Sequence, residues 1–555
     1  MTKRFLSAVL LTLVVYPFNA AEIFTGYNID AIVAKMSLEQ KARLLVGSEG
    51  KNDGLSHIVP GAAGWTYEIP ALGIPSINLA DGPVGVRINP VPSHDVKTEY
   101  DSQGLPVVSS SSSDIPDGGS RSFCTCFPST TALAATWDVN AAALQGKCMA
   151  DEAKAYGVDI VLAPGINIMR NPLCGRNFEY FSEDPMLTGK LAAHLIRAIQ
   201  KNEIGTSLKH FVANNQQTGK KVNDARITQR ALREIYLKGF EICVKEADPW
   251  TVMGSYNKIA GQFTQTSMEL MQRLLRDEWG YNGLVLTDWT VRRPTVDLIN
   301  ARCSLIMPGD EEIVNEIIEA VNNGKLSMEA VDACVKDVLG IVAKSITAKG
   351  WQASRPNLEY NAEASRKIAT EAMVLLKNEK QSLPLKQGAK IALFGVTAYK
   401  SIAGGTGSSN VNKPYITDIS TGLENAGYPI NSRLAEIYKK YADFRTVFDD
   451  KFPDCPDWQK ISYHRTVAPE MDLTGKEALI SEELGKSDVA VVVLGRGSGE
   501  TSDRSIENDF NLTAEELSMI NKVGAACRKQ DKKMIVVMNV CGMMPTCGFS
   551  GELRF

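Results

Sequence analysis

Short apolar runs alternate with longer segments of helical character over roughly the first 350 residues of the chain. These runs are rich in β-branched and large apolar residues, which is typical of strands that helices cover on both faces. Repeated strand–helix units predict an α/β fold with a parallel sheet, either a closed barrel or an open doubly wound sheet. Six runs carry the pattern: SINLADG (76–82), VDIVLAPG (158–165), TSLKHF (206–211), WTVMGSYN (250–257), GLVLTDW (283–289) and SLIMPG (304–309).

Polar residues at the ends of these runs favour the barrel. Asp81, Lys209 with His210, Tyr256 and Asp288 each lie at or just after the end of an apolar run. The carboxyl ends of barrel strands converge on one mouth, whereas an open sheet would gather fewer of them. The prediction is a (β/α)8-type, TIM-like barrel, with its eight strands extrapolated from the six runs.

A second α/β domain is predicted after a helical connector. The segment AEASRKIATEAMVLLKNE (362–379) has helical character, and three further buried strands follow it: KIALFGV (390–396), DVAVVVLG (488–495) and KMIVVMNV (533–540). An aromatic and charged stretch at about 438–464 is interpreted as an insertion between the first two of these strands. The serine run 109–113 is interpreted as a loop insertion.

Composition narrows the class of protein. The chain has 555 residues, 44% of them hydrophobic and 22% charged, as in an ordinary soluble globular protein of two or more domains. A net charge of -4 gives no electrostatic footprint for nucleic acid. Lys3 and Arg4, the apolar stretch 5–15 and the small residues Ala20 and Ala21 follow the order of a secretory signal. A buried N-terminal helix is the alternative.

The cysteines and histidines do not predict a metal or cofactor site. Eleven cysteines are scattered along the chain, and even CTC (124–126) has no further ligands at metal-binding spacing. The loop AGGTGSSN (403–410) follows a strand but matches neither nucleotide-binding glycine pattern. We therefore expect no disulfide framework, no metal and no cofactor, and most cysteines are expected to be small buried apolar residues.

Two carboxylates stand out. Asp288 closes a buried run directly before Trp289, a position poorly explained by packing because an unpaired buried charge is costly. Glu500 lies in GRGSGETSDRS (495–505), a polar loop after a buried strand. A strand-end turn or helix cap at Asp288 and a solvated turn at Glu500 are the simpler explanations.

Together these residues suggest a reaction. Two carboxylates without metal ligands are the minimum equipment for glycoside hydrolysis, in which one attacks or steers water and the other donates a proton. Lys209, His210 and Arg176 supply cations that would keep Asp288 ionised. Trp289 would offer an apolar face to a sugar ring.

The ordered motifs resemble a known family. LADGPVGVR, CGRNFEYFSEDP, LKHFVANNQQT, VMGSYN, GLVLTDW, LLKNE with LPL, and SGETSDR resemble the β-glucosidases of glycoside hydrolase family 3 over roughly residues 26–540. The resemblance implies a retaining hydrolase, with a (β/α)8-type barrel followed by an α/β sandwich domain and an active site between them.

The resemblance also implies roles. Asp288 matches the nucleophile and Glu500 the general acid/base, while Asp81 matches the aspartate that binds hydroxyls of the terminal sugar. Lining residues of the same subsite are matched by Arg176, Lys209, His210, Tyr256 and Trp289. Where the family often has arginine after its N-Q-E-T run, this chain has QQTGK, so Lys220 takes the place of a bidentate guanidinium.

We therefore expect the protein to be a secreted or periplasmic exo-acting β-glycosidase. It would remove terminal non-reducing β-D-glucosyl residues from β-glucosides or cello-oligosaccharides. The N-acetylglucosaminidase branch is disfavoured because KHFVANNQ replaces its KHFPGHG-type motif. A β-xylosidase of the same family and a non-catalytic or misfolded fragment with sugar-binding remnants are the alternatives. No nucleic-acid or integral-membrane partner is expected, and a homodimer is left open.

The predicted domain boundaries are a signal peptide at 1–21, the barrel at 22–355, the connector at 356–385 and the sandwich domain at 386–555. The last residues, CGMMPTCGFSGELRF, follow KMIVVMNV without a strand or helix pattern. We therefore expect an incomplete, truncated sandwich domain, with an open sheet edge and exposed apolar faces.

Overall fold

The computed structural model describes residues 23–49, 59, 61–88, 99–100, 106–107, 122–378, 381–449, 469–500 and 502–545. The predicted signal peptide and the serine run 109–113 lie outside these residues, so export and the loop insertion stay predictions. Within the described residues, no helix is long and apolar enough to cross a membrane.

A six-stranded sheet forms most of the barrel wall, in the order β1-β2-β5-β6-β8-β11. All of its pairings are parallel except that between β1 and β2. The strands are β1 (Gly64–Trp65), β2 (Asn78–Asp81), β5 (Ile160–Leu162), β6 (Gly205–Phe211), β8 (Thr251–Gly254) and β11 (Leu284–Leu286).

Short bridges close this sheet into a ring. Leu286 of β11 pairs with Leu305, Ile306 pairs with Val46, and Ser48 pairs with Trp65 of β1. The described ring therefore contains eight segments, and the predicted TIM-like barrel is confirmed, with one antiparallel segment at β1. That segment was not predicted, because two residues are too few to show a period of hydrophobicity.

Helices surround the barrel. A capping box begins the helix Leu38–Leu44: Ser37 Oγ accepts from Gln40 N, and Gln40 Oε1 accepts from Ser37 N. The α-helices are α1 (Ile29–Lys35), α2 (Leu38–Leu44), α3 (Thr130–Ala135), α4 (Val139–Tyr156), α5 (Pro185–Lys201), α6 (Gln229–Ala231), α7 (Lys238–Ala247), α8 (Thr295–Asn300), α9 (Glu311–Asn322), α10 (Met328–Lys344) and α11 (Leu358–Glu371). Two π-helical segments span Leu232–Tyr236 and Glu269–Glu278.

Small elements complete this half of the chain. A three-stranded sheet joins β7 (Asp224–Ala225), β9 (Lys258–Ile259) and β10 (Gln262–Phe263), and a two-stranded sheet joins β3 (Glu99–Tyr100) and β4 (Pro106–Val107). Short 3₁₀ turns lie at Pro70–Leu72, Asn177–Glu179 and Thr264–Thr266.

The second domain contains a parallel sheet in the order β12-β13-β14, formed by the three predicted strands, and Ile430 adds a parallel bridge to Ile391 on the outer side of β12. Buried strand β13 occupies the centre, whereas β14 is only half-buried over most of its length. The strands are β12 (Ile391–Phe394), β13 (Val489–Arg496) and β14 (Lys533–Val540). The helices are α12 (Ile419–Asn425), α13 (Ser432–Asp449), α14 (Glu477–Gly485) and α15 (Ala514–Lys529), with 3₁₀ turns at Val396–Ala398 and Gly407–Ser409 and a kinked π-helical turn at Ile506–Phe510.

Two sequence interpretations need correction here. Helix α11 ends at Glu371, and the apolar residues 373–376 of the predicted helical connector are exposed and not helical. The first part of the predicted insertion at 438–464 is helix α13, and Tyr438 is fully buried and stacks on Tyr399 with ring centres 5.6 Å apart. Tyr438 is therefore a core residue of a helix, which the sequence did not reveal because two lysines, Lys439 and Lys440, follow it. Residues 450–468 lie outside the described part.

Nine cysteines are described, all as free thiols and all but Cys126 buried. Their burial confirms the interpretation of most cysteines as small apolar core residues. Cys455 and Cys547 lie outside the described residues.

Glu152 of α4 is a buried carboxyl between the barrel helices. Its two oxygens accept from Thr125 N at 3.1 and 3.0 Å, and Asn361 Nδ2 of α11 donates at 2.9 Å. Burial raises the pKa of Glu152 to about 7, because these hydrogen bonds offset only part of the cost of a buried charge. The group therefore binds a proton more tightly in the folded chain than in the unfolded chain.

Glu152→Gln should remove part of the pH dependence of stability. Because the folded pKa is raised, the contribution of Glu152 is fully present below its ordinary pKa of 4.5 and is lost as pH rises to about 7. The loss amounts to about 3 kcal/mol, so the variant should gain stability relative to wild type between pH 4.5 and 8 in urea unfolding. The exposed Glu363→Gln of α11 is the matched control, and parallel pH curves for wild type and Glu152→Gln would contradict the prediction.

Candidate active site

The site lies where the carboxyl ends of the barrel strands meet the loop after β13. Asp288 follows β11 by two residues, Lys209 and His210 lie on β6, and Asp81 ends β2. Glu500 comes from the second domain and contacts Arg176 of the barrel. The two carboxylates singled out in the sequence therefore belong to one site.

Asp288 is buried, with its side chain 7% exposed. Its Oδ1 accepts a hydrogen bond from Trp289 N at 2.8 Å, and its Oδ2 lies 3.9 Å from His210 Nε2. Burial raises the pKa of Asp288, while the positive charges of Arg176, Lys220 and Lys209 limit the rise. The second oxygen has no hydrogen-bond partner among the described residues, which leaves it available to a ligand.

A register shift in β6 brings two adjacent side chains to the mouth of the barrel. The pairing of β6 with β8 shifts between Leu208 and Phe211, as in a β-bulge. Lys209 Nζ lies 4.0 Å from Asp81 Oδ1, and His210 Nε2 approaches Asp288. Without the shift these two side chains would point to opposite faces of the strand.

His210 is held as a neutral ring. Its backbone N donates to Asn167 Oδ1 at 3.0 Å, Asn167 Nδ2 donates to its carbonyl at 2.9 Å, and Tyr180 Oη lies 3.4 Å from its Nδ1. Burial lowers the pKa of His210 well below its ordinary value, and Arg176 adds to the effect. A neutral imidazole in this position can donate or accept a hydrogen bond with a ligand but carries no charge. The expectation that His210 is one of the cations beside Asp288 is therefore wrong, because burial among Arg176 and Lys209 disfavours its charged form.

Asp81 faces the site beside two cations. Arg87 Nη1 lies 3.3 Å from Asp81 Oδ2, and the Arg87 backbone N donates to the Asp81 carbonyl at 2.8 Å. A polyol bound here could therefore donate hydrogen bonds to the Asp81 carboxylate and accept them from Arg87 and Lys209.

Arg176 connects the two domains. Its Nε donates to the buried Glu179 Oε1, and its Nη2 lies 3.2 Å from Glu500 Oε1. Burial alone would lower the pKa of Arg176, but Glu179 and Glu500 raise it well above its usual range. The guanidinium is therefore a fixed positive charge in the site.

Glu500 is an ion-paired carboxylate. Ser408 Oγ donates to Oε1 at 2.5 Å and Ser408 N at 3.3 Å, while Lys220 Nζ lies 3.9 Å from Oε2. Burial would raise the pKa of Glu500, yet Arg176, Lys220 and the Ser408 hydrogen bond hold it well below its ordinary value. In this arrangement Glu500 is ionised at neutral pH.

The loop 403–410 packs against the side chain of Glu500. Gly407 has a φ of +71°, and a Cβ at this position would lie 2.9 Å from Glu500 Cγ. Only glycine fits at this position. The glycine-rich loop, which matches neither nucleotide-binding pattern, makes room for the side chain of Glu500.

Lys220, Tyr256 and Trp289 complete the wall. Lys220 Nζ lies 4.5 Å from the centre of the Tyr256 ring, and Tyr256 Oη donates to the Trp289 carbonyl at 3.1 Å. Trp289 is half-buried and its Nε1 donates to the Ala63 carbonyl at 3.0 Å. Lys220 therefore occupies the site as the substitute for arginine that the sequence indicates.

The structure gathers all eight residues predicted for the site. It adds others that the sequence did not identify: Arg87, Asn167, Glu179, Ser408 and Asp503. Arg87 closes the motif LADGPVGVR, Glu179 lies within CGRNFEYFSEDP and Asp503 lies within SGETSDR, so motif membership could have found these three. No three His, Cys, Asp or Glu side chains of the described residues gather in an arrangement that could hold a metal ion.

Comparison with known protein families matches both halves of the chain. Residues 93–341 match the glycosyl hydrolase family 3 N-terminal domain, and residues 373–548 match the glycosyl hydrolase family 3 C-terminal domain.

Relatives of established name agree with this match. Thermostable beta-glucosidase B of Acetivibrio thermocellus is 37% identical over 405 residues, which are 72% of this chain and 49% of the relative. An exo-alpha-(1->6)-L-arabinopyranosidase of Bifidobacterium longum is 31% identical over 517 residues, which are 91% of this chain and 59% of the relative. The chain thus spans about half to three fifths of the length of these relatives.

The fold agrees as well. Beta-glucosidase 3B from Thermotoga neapolitana, solved in complex with alpha-D-glucose, superposes with a TM-score of 0.84 at 36% identity over 94% of this chain and 70% of that chain. A GH3 beta-glucosidase from Bifidobacterium adolescentis superposes with a TM-score of 0.72 at 29% identity. The matched domains, the relatives and the shared fold show that this chain belongs to glycosyl hydrolase family 3.

Proposed function

We propose that the protein is a retaining, exo-acting β-glycosidase that removes terminal non-reducing β-D-glucosyl residues from β-glucosides and cello-oligosaccharides. The observation that carries the proposal is the meeting of Asp288 from the barrel and Glu500 from the second domain. Both carboxylates interact with the same two cations, Arg176 and Lys220.

Asp288 is proposed as the nucleophile. Its Oδ2, which has no hydrogen-bond partner among the described residues, would form a bond to the anomeric carbon while the bond from that carbon to the leaving oxygen breaks. Glu500 would give its proton to that oxygen. Water then attacks the same carbon, its proton passes to Glu500, and the bond to Asp288 breaks, which restores both groups.

Substrate contacts are proposed for the remaining residues of the wall. Asp81, Lys209 and His210 present an acceptor, a cation and a neutral imidazole at the same end of the barrel, which suits the adjacent hydroxyls of a terminal sugar. Trp289 offers an aromatic face beside Asp288, and stacking on such a face suits the apolar side of a pyranose ring. The names of the Acetivibrio relative and the Thermotoga structure support glucose as the sugar.

The deciding experiment assays this 555-residue chain on three 4-nitrophenyl glycosides: the β-D-glucoside, the β-D-xyloside and the α-L-arabinopyranoside. We expect the highest kcat/KM for the β-D-glucoside and a β-configured sugar as first product in time-resolved proton NMR. A preference for xyloside would favour the β-xylosidase alternative, and a preference for arabinopyranoside would align the chain with its Bifidobacterium relative. An α-configured first product would contradict the retaining mechanism.

A further inference from the structure

Asp503, three residues after Glu500, is bound to the barrel by its carboxylate. Oδ1 accepts from Gln217 N at 2.8 Å and from Gly175 N at 3.2 Å, and Oδ2 accepts from Thr218 N at 2.9 Å. One side chain of the second domain thus satisfies three backbone donors on two barrel loops. Hydrogen bonds from backbone N–H groups to a carboxylate are charge-assisted and stronger than neutral ones.

The partners of Asp503 flank the cations of the active site. Gly175 precedes Arg176, and Thr218 lies two residues before Lys220. Arg176 and Lys220 in turn contact the carboxylate of Glu500. The Asp503 carboxylate therefore ties together the three backbone segments that carry Glu500, Arg176 and Lys220.

The rest of the loop follows the same path along the barrel. Ser498 Oγ donates to the Gly175 carbonyl, and Arg504 N donates to the Leu173 carbonyl at 2.7 Å. A Cβ at Gly175 would lie 2.0 Å from the Ser502 carbonyl oxygen. The loop around Glu500 is thus in direct backbone contact with the barrel on both sides of the glutamate.

Other charged residues anchor the loop to its own domain. Arg504 pairs with Asp509 at 2.9 Å and donates to the Met543 carbonyl at 2.6 Å. These contacts stay within the second domain, whereas those of Asp503 cross to the barrel. The side chain of Arg504 therefore holds the loop to its own domain, and that of the adjacent Asp503 holds it to the barrel.

We propose that Asp503 is a positioning residue that places the proton donor of the second domain against the barrel half of the active site. The inference rests on the proposed function, because Glu500 is the group it would place. A displacement of a catalytic group by about 1 Å can cost about 100-fold in rate. Loss of the Asp503 contacts should therefore weaken proton donation by Glu500 more than it weakens sugar binding.

The test compares Asp503→Ala and Asp503→Asn with wild type on two β-glucosides, cellobiose and 2,4-dinitrophenyl β-glucoside. We expect Asp503→Ala to lower kcat/KM for cellobiose about 100-fold and for the dinitrophenyl substrate only a few-fold, since that leaving group needs no proton. Asp503→Asn keeps one acceptor oxygen, so its kcat/KM for cellobiose should lie between those of wild type and Asp503→Ala. The exposed Glu507→Gln, which removes a charge nearby, is the control and should match wild type.

Hydrogen–deuterium exchange supplies a second readout that does not depend on turnover. Asp503→Ala should speed exchange in peptides covering 171–178, 214–222 and 497–505, with little change in the strands of the second domain. Equal losses for both substrates, or exchange equal to wild type in these peptides, would overturn the proposal. If wild type hydrolyses no glycoside, the proposed function fails, while the exchange data still decide whether Asp503 holds the three segments together.

Discussion

Replacing Asp288 by asparagine should lower kcat for aryl β-glucosides by about 10⁴-fold or more, the scale on which loss of a nucleophile leaves only binding and orientation. Asparagine has the same shape and keeps an oxygen for the hydrogen bond from Trp289 N at 2.8 Å. It lacks the negative charge that makes the carboxylate a nucleophile toward the anomeric carbon in the proposed mechanism. Steady-state assays over the pH range in which wild type is active would measure the loss.

Folding should survive this substitution. Burial raises the pKa of Asp288, which means that the folded chain pays to keep the carboxylate charged. The melting temperature of Asp288→Asn should therefore equal or exceed that of wild type, and glucose should still raise it. Asp297→Asn, an exposed aspartate on α8, is the matched control and should keep full activity.

A trapping experiment would locate the covalent bond. A 2-deoxy-2-fluoro-β-glucoside with a good leaving group should label wild type on the peptide 283–293, and Asp288→Asn should stay unlabelled. Full activity of Asp288→Asn, or a label on another peptide, would refute the assignment of Asp288 as the nucleophile.

The barrel half of the site was predictable because its signals are local. A polar residue that closes an apolar run, such as Asp81 or Asp288, marks the end of a buried strand, and parallel strands bring those ends together. The placement of Lys209 and His210 was harder to predict. Both side chains reach the mouth of the barrel only because the pairing of β6 shifts register between Leu208 and Phe211. That shift has no pattern in the residues themselves.

The second-domain half was only partly predictable. Glu500 was found through its loop and family motif, but its environment depends on the approach of segments far apart in the chain. Ser408 and Asp503 contact partners 92 and 286 residues away. Ser408 does not differ in sequence from an ordinary loop serine, and Asp503 belongs to the motif SGETSDR, which does not show what its carboxylate binds. Their roles emerge only when the two domains are packed together.

The two carboxylates have pKa values displaced in opposite directions. Burial raises that of Asp288, while Arg176, Lys220 and Ser408 outweigh burial and lower that of Glu500. The proposed mechanism needs Asp288 ionised and Glu500 protonated. The protonation state that would react is therefore a minor one, and the two titrations are coupled through the shared cations.

Replacing Glu500 by alanine should lower kcat/KM for cellobiose by about 10²- to 10⁴-fold, the usual contribution of general acid catalysis. Added azide should restore turnover of 2,4-dinitrophenyl β-glucoside. Azide fits the space that the side chain leaves and needs no general base, so it can attack the anomeric carbon while the bond from that carbon to Asp288 breaks. The product should be the β-glycosyl azide. Wild type, with its carboxylate in place, should gain nothing from azide.

The pH profile gives an independent test of Glu500. In wild type, the reacting form of the site carries one proton on the coupled pair of Asp288 and Glu500, so kcat/KM should fall at high pH, where that last proton is lost. In Glu500→Ala with the dinitrophenyl substrate, the alkaline fall should disappear and only the acid limb should remain, set by ionisation of Asp288 at its raised pKa. An alkaline limb that survives in the variant, or the absence of azide rescue, would mean that another residue is the proton donor. Glu500 would then lie beside Arg176 and Lys220 only to bind substrate.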